Sequence, residues 1–301
     1  MPLLIDLVGK TPLCDLTSLL GTPGVTVLAK CEGANPGSSV KDRAAKGMIT
    51  GALARGELKP GMRLIEATSG NTGIALAMIS QAVGIEMHLV MPNTLTVERI
   101  QTMEALGAVV HLVDGSMEMA RDYADEQVRT SAGTPTAFVM LNQFANPDNP
   151  RAHYESTGPE IWTDTQGQVT HFVSAMGTTG TIMGVSRYLK ERNPGVTIVG
   201  CQPTEGSAIP GIRRWPTAYL PKIFEPQRVD RILDISQKDA ENMTRRLARE
   251  AGFFVGVSSG GAAWAARQTA LALDRGVVVF IACDRGDRYL SSDVFRARPA
   301  P

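Results

Sequence analysis

No run of apolar residues in this sequence approaches the length needed to cross a bilayer, and the stretch before the first acid, Asp6, offers only the short apolar run Leu3 to Ile5. Neither a membrane span nor a signal segment is expected, which makes the cytoplasm the expected location. An excess of charge of either sign is also missing. Thirty basic residues balance 30 acidic ones, so no polyanionic partner is implied and nucleic-acid binding is not expected. Cysteine is scarce: Cys14, Cys31, Cys201 and Cys283 lie far apart with no paired spacing, which argues against a disulfide framework and a zinc site and leaves free, buried thiols. His88, His111, His153 and His171 form no metal-ligand pair at helical spacing and are assigned no chemistry. Internal repeats, low-complexity segments, a phosphate-binding loop ending in lysine and a G-x-G-x-x-G dinucleotide fingerprint are all absent.

What remains is the composition of an ordinary globular protein, 43% hydrophobic and 20% charged. A chain of 301 residues exceeds the usual reach of a single core, so two domains sharing a cleft are expected. Strand-like and helix-like segments alternate: strands at 25–29, 63–67, 86–91, 108–113, 137–141, 171–175, 196–201 and 277–282, with helices after Lys41, at 72–83, 97–106, 117–128, 179–192 and 239–251, and after Gly261. Alternation with near-continuous Val/Ile/Leu strands predicts an α/β protein with twisted, mostly parallel sheets covered by helices. The turn-rich segment 142–150 marks a domain boundary, and the Pro/Gly-rich stretch 203–226 reads as a long loop.

One lysine stands at an unusual place. Asn35, Pro36 and Gly37 form a turn, Ser38 and Ser39 can cap, and Ala45, Met48, Ile49, Ala52 and Leu53 follow at helical spacing, so Lys41 lies near a helix N-terminus. The helix dipole disfavours a cation there, which suits a partly neutral, nucleophilic amine able to condense with an aldehyde. Three strand-to-helix junctions are rich in Gly, Ser and Thr. The junction at 66–73 suits a carboxylate, and that at 174–181 offers amides and threonine hydroxyls to a phosphate. The junction at 256–261 presents two neutral hydroxyls. In parallel sheets ligands gather where strands give way to helices. An amine for an aldehyde, two anion cradles and a hydroxyl for a ring nitrogen together describe pyridoxal 5′-phosphate holding an amino acid.

The strings NPGSSVKDR, EATSGNTGIALAM, QFANPDNP, HFVSAMGTTGTIMG, GIRRWP, GVSSGG and CDRGDRYLS occur in this order. Through them the chain resembles the B-type cysteine synthases (O-acetylserine sulfhydrylases) of the fold-type II pyridoxal-phosphate family, roughly from Gly9 to Ser291. The resemblance implies a smaller mobile domain at 36–145 and a larger one from 1–35 and 146–301, with the cofactor in the cleft between them, and a homodimer. It implies an enzyme that makes L-cysteine by β-replacement, through an aminoacrylate, from O-acetyl-L-serine and sulfide or thiosulfate, or from a related activated serine such as O-phosphoserine and another sulfur donor such as a protein-carried thiocarboxylate. Related cystathionine β-synthase-like or serine dehydratase-like chemistry is the alternative. By the same resemblance, Lys41 would bond the cofactor and act as base and acid at the substrate α-carbon. Asn71 would orient the ring oxygen, Gly177, Thr178, Thr179, Gly180 and Thr181 would hold the phosphate, and Ser258 would face the ring nitrogen. Thr68, Ser69, Thr72 and Gln143 would bind the substrate carboxylate. Arg213 and Arg214 are candidates for an anionic second substrate, set against a purely structural pairing of these and of Arg285 and Arg288 with nearby acids. One departure is local: the B-type pattern reads N-P-x-G-S-V-K, whereas here glycine stands at Gly37 and serine at Ser38.

Overall fold

The computed structural model describes residues 3–59, 61–68, 70–93 and 97–296. In chain order the strands are β1 (Leu13–Asp15), β2 (Val25–Cys31), β3 (Arg63–Ala67), β4 (Glu86–Pro92), β5 (Val109–Val113), β6 (Phe138–Val139), β7 (His171–Ala175), β8 (Thr197–Pro203), β9 (Arg231–Ile235) and β10 (Gly276–Ala282). The α-helices are α1 (Thr17–Leu20), α2 (Lys41–Ala54), α3 (Asn71–Val83), α4 (Val97–Ala105), α5 (Met117–Ser131), α6 (Asp148–Ala152), α7 (Gly158–Asp164), α8 (Gly180–Arg192), α9 (Gln237–Ala251) and α10 (Val257–Leu271). The chain divides into two compact units, one from 3–8 and 41–152, the other from 9–40 and 153–296.

The first unit holds a parallel four-stranded sheet in the order β5-β4-β3-β6. Successive residues of a strand face opposite sides, and both sides are buried here. Leu64, Met87, Leu89 and Met91 join Ala45, Met48, Ile49 and Ala52 of α2 and the apolar face of α3. Ile65 and Val90 instead meet Ala120 and Ala124 of α5. A sheet covered on both faces needs continuous apolar runs, which is why its strands read so plainly. Residues 3–8 belong to this unit because Ile5 and Val8 pack on its core and Lys46 Nζ donates to the Ile5 carbonyl at 2.9 Å. Residues 148–152 belong to it because α6 lies against Gly47 and Gly51 of α2, where a Cβ on Gly47 would stand 2.7 Å from that of Ala152.

The second unit holds a six-stranded sheet, β1-β2-β10-β7-β8-β9, parallel except for β1 against β2. The expected α/β class holds, and the departures have local causes. Strand β9 (RILDI) is an edge strand with only Ile235 fully buried, so charged residues interrupt the apolar run that marks the other strands. Strand β6 ends at Val139 because Leu141 and Asn142 turn to the Glu66 carboxyl rather than to a neighbouring strand. Helix α10 begins at Val257, not after Gly261. Its Gly260 allows close approach to α9, where a Cβ would overlap Thr244 Oγ1 and the Ala240 carbonyl.

Candidate functional site

Lys41 is the first residue of α2, and the turn before it is tied down by distant segments of the second unit. Val40 N donates to the Cys283 carbonyl at 2.8 Å, Ser39 bridges Asp284, and an Arg288 guanidinium nitrogen donates to the Gly37 carbonyl. On the other side, Asn35 Nδ2 donates to Glu32 Oε2 at 2.8 Å and its Oδ1 accepts Gly9 N at 2.8 Å. The CDRGDR string therefore holds this turn. The turn also explains the altered pattern: Ser38 has φ +60°, and it stands where the pattern places glycine, the residue suited to that region.

In the first unit, Asn71 opens α3 after Gly70, and Thr68 and Thr72 are buried. Ser69 lies outside the described residues. Gln143 is brought to this junction: Thr72 Oγ1 donates to Gln143 Oε1 at 2.8 Å. The QFANPDNP segment is shaped by its own amides. Asn146 Nδ2 donates to the Leu141 carbonyl at 2.9 Å, and Asn149 Nδ2 to that of Gln143 at 2.8 Å.

In the second unit, the segment 176–181 runs from β7 into α8, with Thr179 in the left-handed region at φ +70°. The long loop packs on its start. Arg213 N donates to the Met176 carbonyl at 2.8 Å, Trp215 Nε1 donates to that of Gly177 at 2.8 Å, and a Cβ on Gly177 would stand 2.6 Å from the Gly211 carbonyl oxygen. Ser258 lies in the first turn of α10, 5% exposed, next to Gly211.

The model of the pyridoxal-phosphate dependent enzyme family matches residues 4–284. The chain belongs to that family. It is 58% identical to the cysteine synthase B of Pseudomonas aeruginosa over 99% of its length and 98% of the relative's. To the cysteine synthase B of Escherichia coli it is 56% identical, over 98% and 96%. The crystal structure of a cysteine synthase from Entamoeba histolytica superposes with a TM-score of 0.92 at 36% identity, covering 99% of this chain and 91% of that one.

Membership in this family implies pyridoxal phosphate, and the residues present fit it. Thr179 Oγ1 is buried and bonds to nothing among the described residues; buried polar atoms are ordinarily satisfied, and a phosphate at the start of α8 would accept its proton. The Gly177 backbone has no room for a side chain, and the buried Ser258 hydroxyl is a neutral group suited to a pyridine nitrogen. Sequence reasoning missed one supporting residue. His153, fully buried, bonds Thr181 Oγ1 through Nε2 at 3.2 Å and Thr157 Oγ1 through Nδ1 at 2.9 Å, so it fixes a hydroxyl of the 177–181 cradle. Its position before α7 carries no periodic or motif signal.

Two of the candidate arginines differ in their surroundings. Arg214 pairs with Asp234, and its Nε donates to the Pro203 carbonyl at 2.8 Å. The Arg213 side chain is exposed. Arg285 pairs with Asp287 at 2.8 Å. All four cysteines are free thiols. Burial pushes the Cys31 and Cys201 thiols up to about 12, so neither is a nucleophile at neutral pH.

Proposed function

We propose that the protein makes L-cysteine from O-acetyl-L-serine and sulfide by pyridoxal-phosphate-dependent β-replacement. The observation that carries this reading is the likeness to cysteine synthase B relatives over nearly the full chain at 56–58% identity. Bound pyridoxal phosphate supplies an electron sink for the bonding pair left when the substrate loses its α-proton. This chain's residues do the rest. Lys41 holds the cofactor through its amine, takes the α-proton and returns it once sulfur has added and acetate has left. Asn71 orients the ring oxygen, Gly177, Thr178, Thr179, Gly180 and Thr181 bind the phosphate, and Thr68, Ser69, Thr72 and Gln143 bind the substrate carboxylate. Ser258 meets the ring nitrogen with a hydroxyl. Unlike an aspartate it does not hold that nitrogen protonated, which favours loss of the β-substituent over transamination.

Of the two arginines in the long loop, Arg213 is the one proposed to meet an anionic sulfur donor such as thiosulfate, or an O-phosphoserine acceptor, because Arg214 is engaged by Asp234. A cytoplasmic homodimer completes the proposal. The test is cysteine formation by the purified protein with each acceptor and each donor. Lys41→Ala should remove turnover while leaving the far-ultraviolet circular dichroism unchanged. A near-normal rate in that variant refutes the assignment. A loss in Arg213→Ala that is equal for charged and uncharged partners removes that residue from the site.

A further inference from the structure

Glu66 sits near the carboxyl end of β3, 5% exposed, on the strand that leads into Thr68 and Thr72. Its Oε1 accepts the Asn142 backbone N–H at 2.5 Å, and the Leu141 N–H also bonds its carboxyl. These two amides begin the segment that carries Gln143. Asn142 is in the left-handed region at φ +55°, a conformation that costs a non-glycine residue free energy and must be held by its surroundings. Immediately after it, Gln143 accepts the Thr72 hydroxyl. One carboxyl group thus joins the strand beneath the Thr68–Thr72 junction to the turn that presents Gln143.

We propose that Glu66 is a positioning residue for the amino-acid acceptor: ionised, it clamps the 141–142 turn so that Gln143 is held for the substrate carboxylate, and protonated, it loosens that clamp. The proposal rests on the reading of Thr72 and Gln143 as the carboxylate site. Burial is the largest influence on this group and pushes its carboxyl up to about 7, against the two backbone bonds that favour the ionised form. Around it, α3 and β6 carry no ionisable side chain. On β4, Glu86 and His88 lie opposite Arg63 and Ile65, which alternate with Glu66 and so take the other face of the sheet. On α5, Arg121 and Asp125 act with opposite signs. The switch therefore falls within the working range of a cytoplasmic enzyme.

Charge-assisted hydrogen bonds are roughly twice as strong as neutral ones, so protonating Glu66 should raise the KM for O-acetyl-L-serine by about five-fold. The experiment measures kcat and KM of the holoenzyme from pH 6 to 8. A step in KM centred near 7, absent from kcat, is expected in the parent, and Glu66→Gln should flatten it because the amide accepts a hydrogen bond but does not titrate. Persistence of the step in Glu66→Gln overturns the proposal. The nuclear magnetic resonance signal of the Asn142 amide in the parent supplies a readout independent of any variant. It should titrate with the same midpoint, and its failure to move also overturns the proposal. Gln143→Ala separates the underlying reading: an unchanged KM at every pH removes Gln143 from the carboxylate site, whereas a KM raised throughout supports it.

Discussion

Glu66→Gln should also change how the stability of the protein depends on pH, and the size of that change follows from burial. A glutamate in an unfolded chain titrates near 4.5, whereas burial in the folded protein pushes this one up to about 7. Between those values the folded protein holds the proton more tightly than the unfolded chain. Stability from this group is therefore fully present below pH 4.5 and falls as pH rises toward 7. Each unit of difference corresponds to about 1.4 kcal/mol, so the whole effect is about 3 kcal/mol, of which about 2 to 3 kcal/mol falls between pH 5 and pH 8. Glutamine has no such dependence. Its imperfect fit to two N–H groups adds a loss that is the same at both pH values and cancels in the comparison. Urea unfolding of parent and variant at pH 5 and pH 8 gives the double difference directly. The variant should gain about 2 to 3 kcal/mol on the parent across that interval. A difference between the two proteins that stays constant with pH, to within about 0.5 kcal/mol, refutes the claim that Glu66 is buried with a raised pKa.

Further predictions concern single residues whose geometry is unusual. Ser38→Gly should stabilise the protein by about 1 kcal/mol, because Ser38 adopts φ +60°; a lower urea midpoint in the variant contradicts this. Gly260→Ala should destabilise by about 3 kcal/mol through overpacking between α9 and α10, since the new methyl would overlap Thr244 and Ala240. Unchanged thermal unfolding would show that the two helices separate freely. Thr179→Val removes a buried hydroxyl with no partner among the described residues. It should weaken pyridoxal-phosphate binding at least ten-fold while leaving the apoprotein as stable as the parent; a large loss of apoprotein stability would mean that the hydroxyl serves the fold instead.

The strands buried on both faces were legible because burial itself writes their pattern: Leu64, Ile65, Leu89 and Val90 must all be apolar when helices cover both sides of a sheet. Strand β9 escaped for the converse reason. At the sheet edge, only one of its residues is fully buried, and Asp234 is free to pair with Arg214. The sequence puts the start of α10 too late because Gly260 and Gly261 look like turn residues, while here glycine serves the contact with α9. The residues of the candidate site were named from their types at junctions and from family resemblance, and the structure adds what binds them to one another: Thr72 to Gln143, Thr181 to His153.

What the sequence could not convey is reach. The turn before Lys41 takes its hydrogen bonds from Cys283, Asp284 and Arg288, more than 240 residues further along the chain, and no local pattern encodes such a pairing. The same limit applies to Glu66, which reads locally as one more residue in a strand. Its buried carboxyl would be costly without a partner, and the partners that satisfy it, the amides of Leu141 and Asn142, lie about 75 residues away. A charged residue inside an otherwise apolar strand is thus a sign that two segments meet. The structure shows which ones, and in this protein they are the segments that carry Thr72 and Gln143.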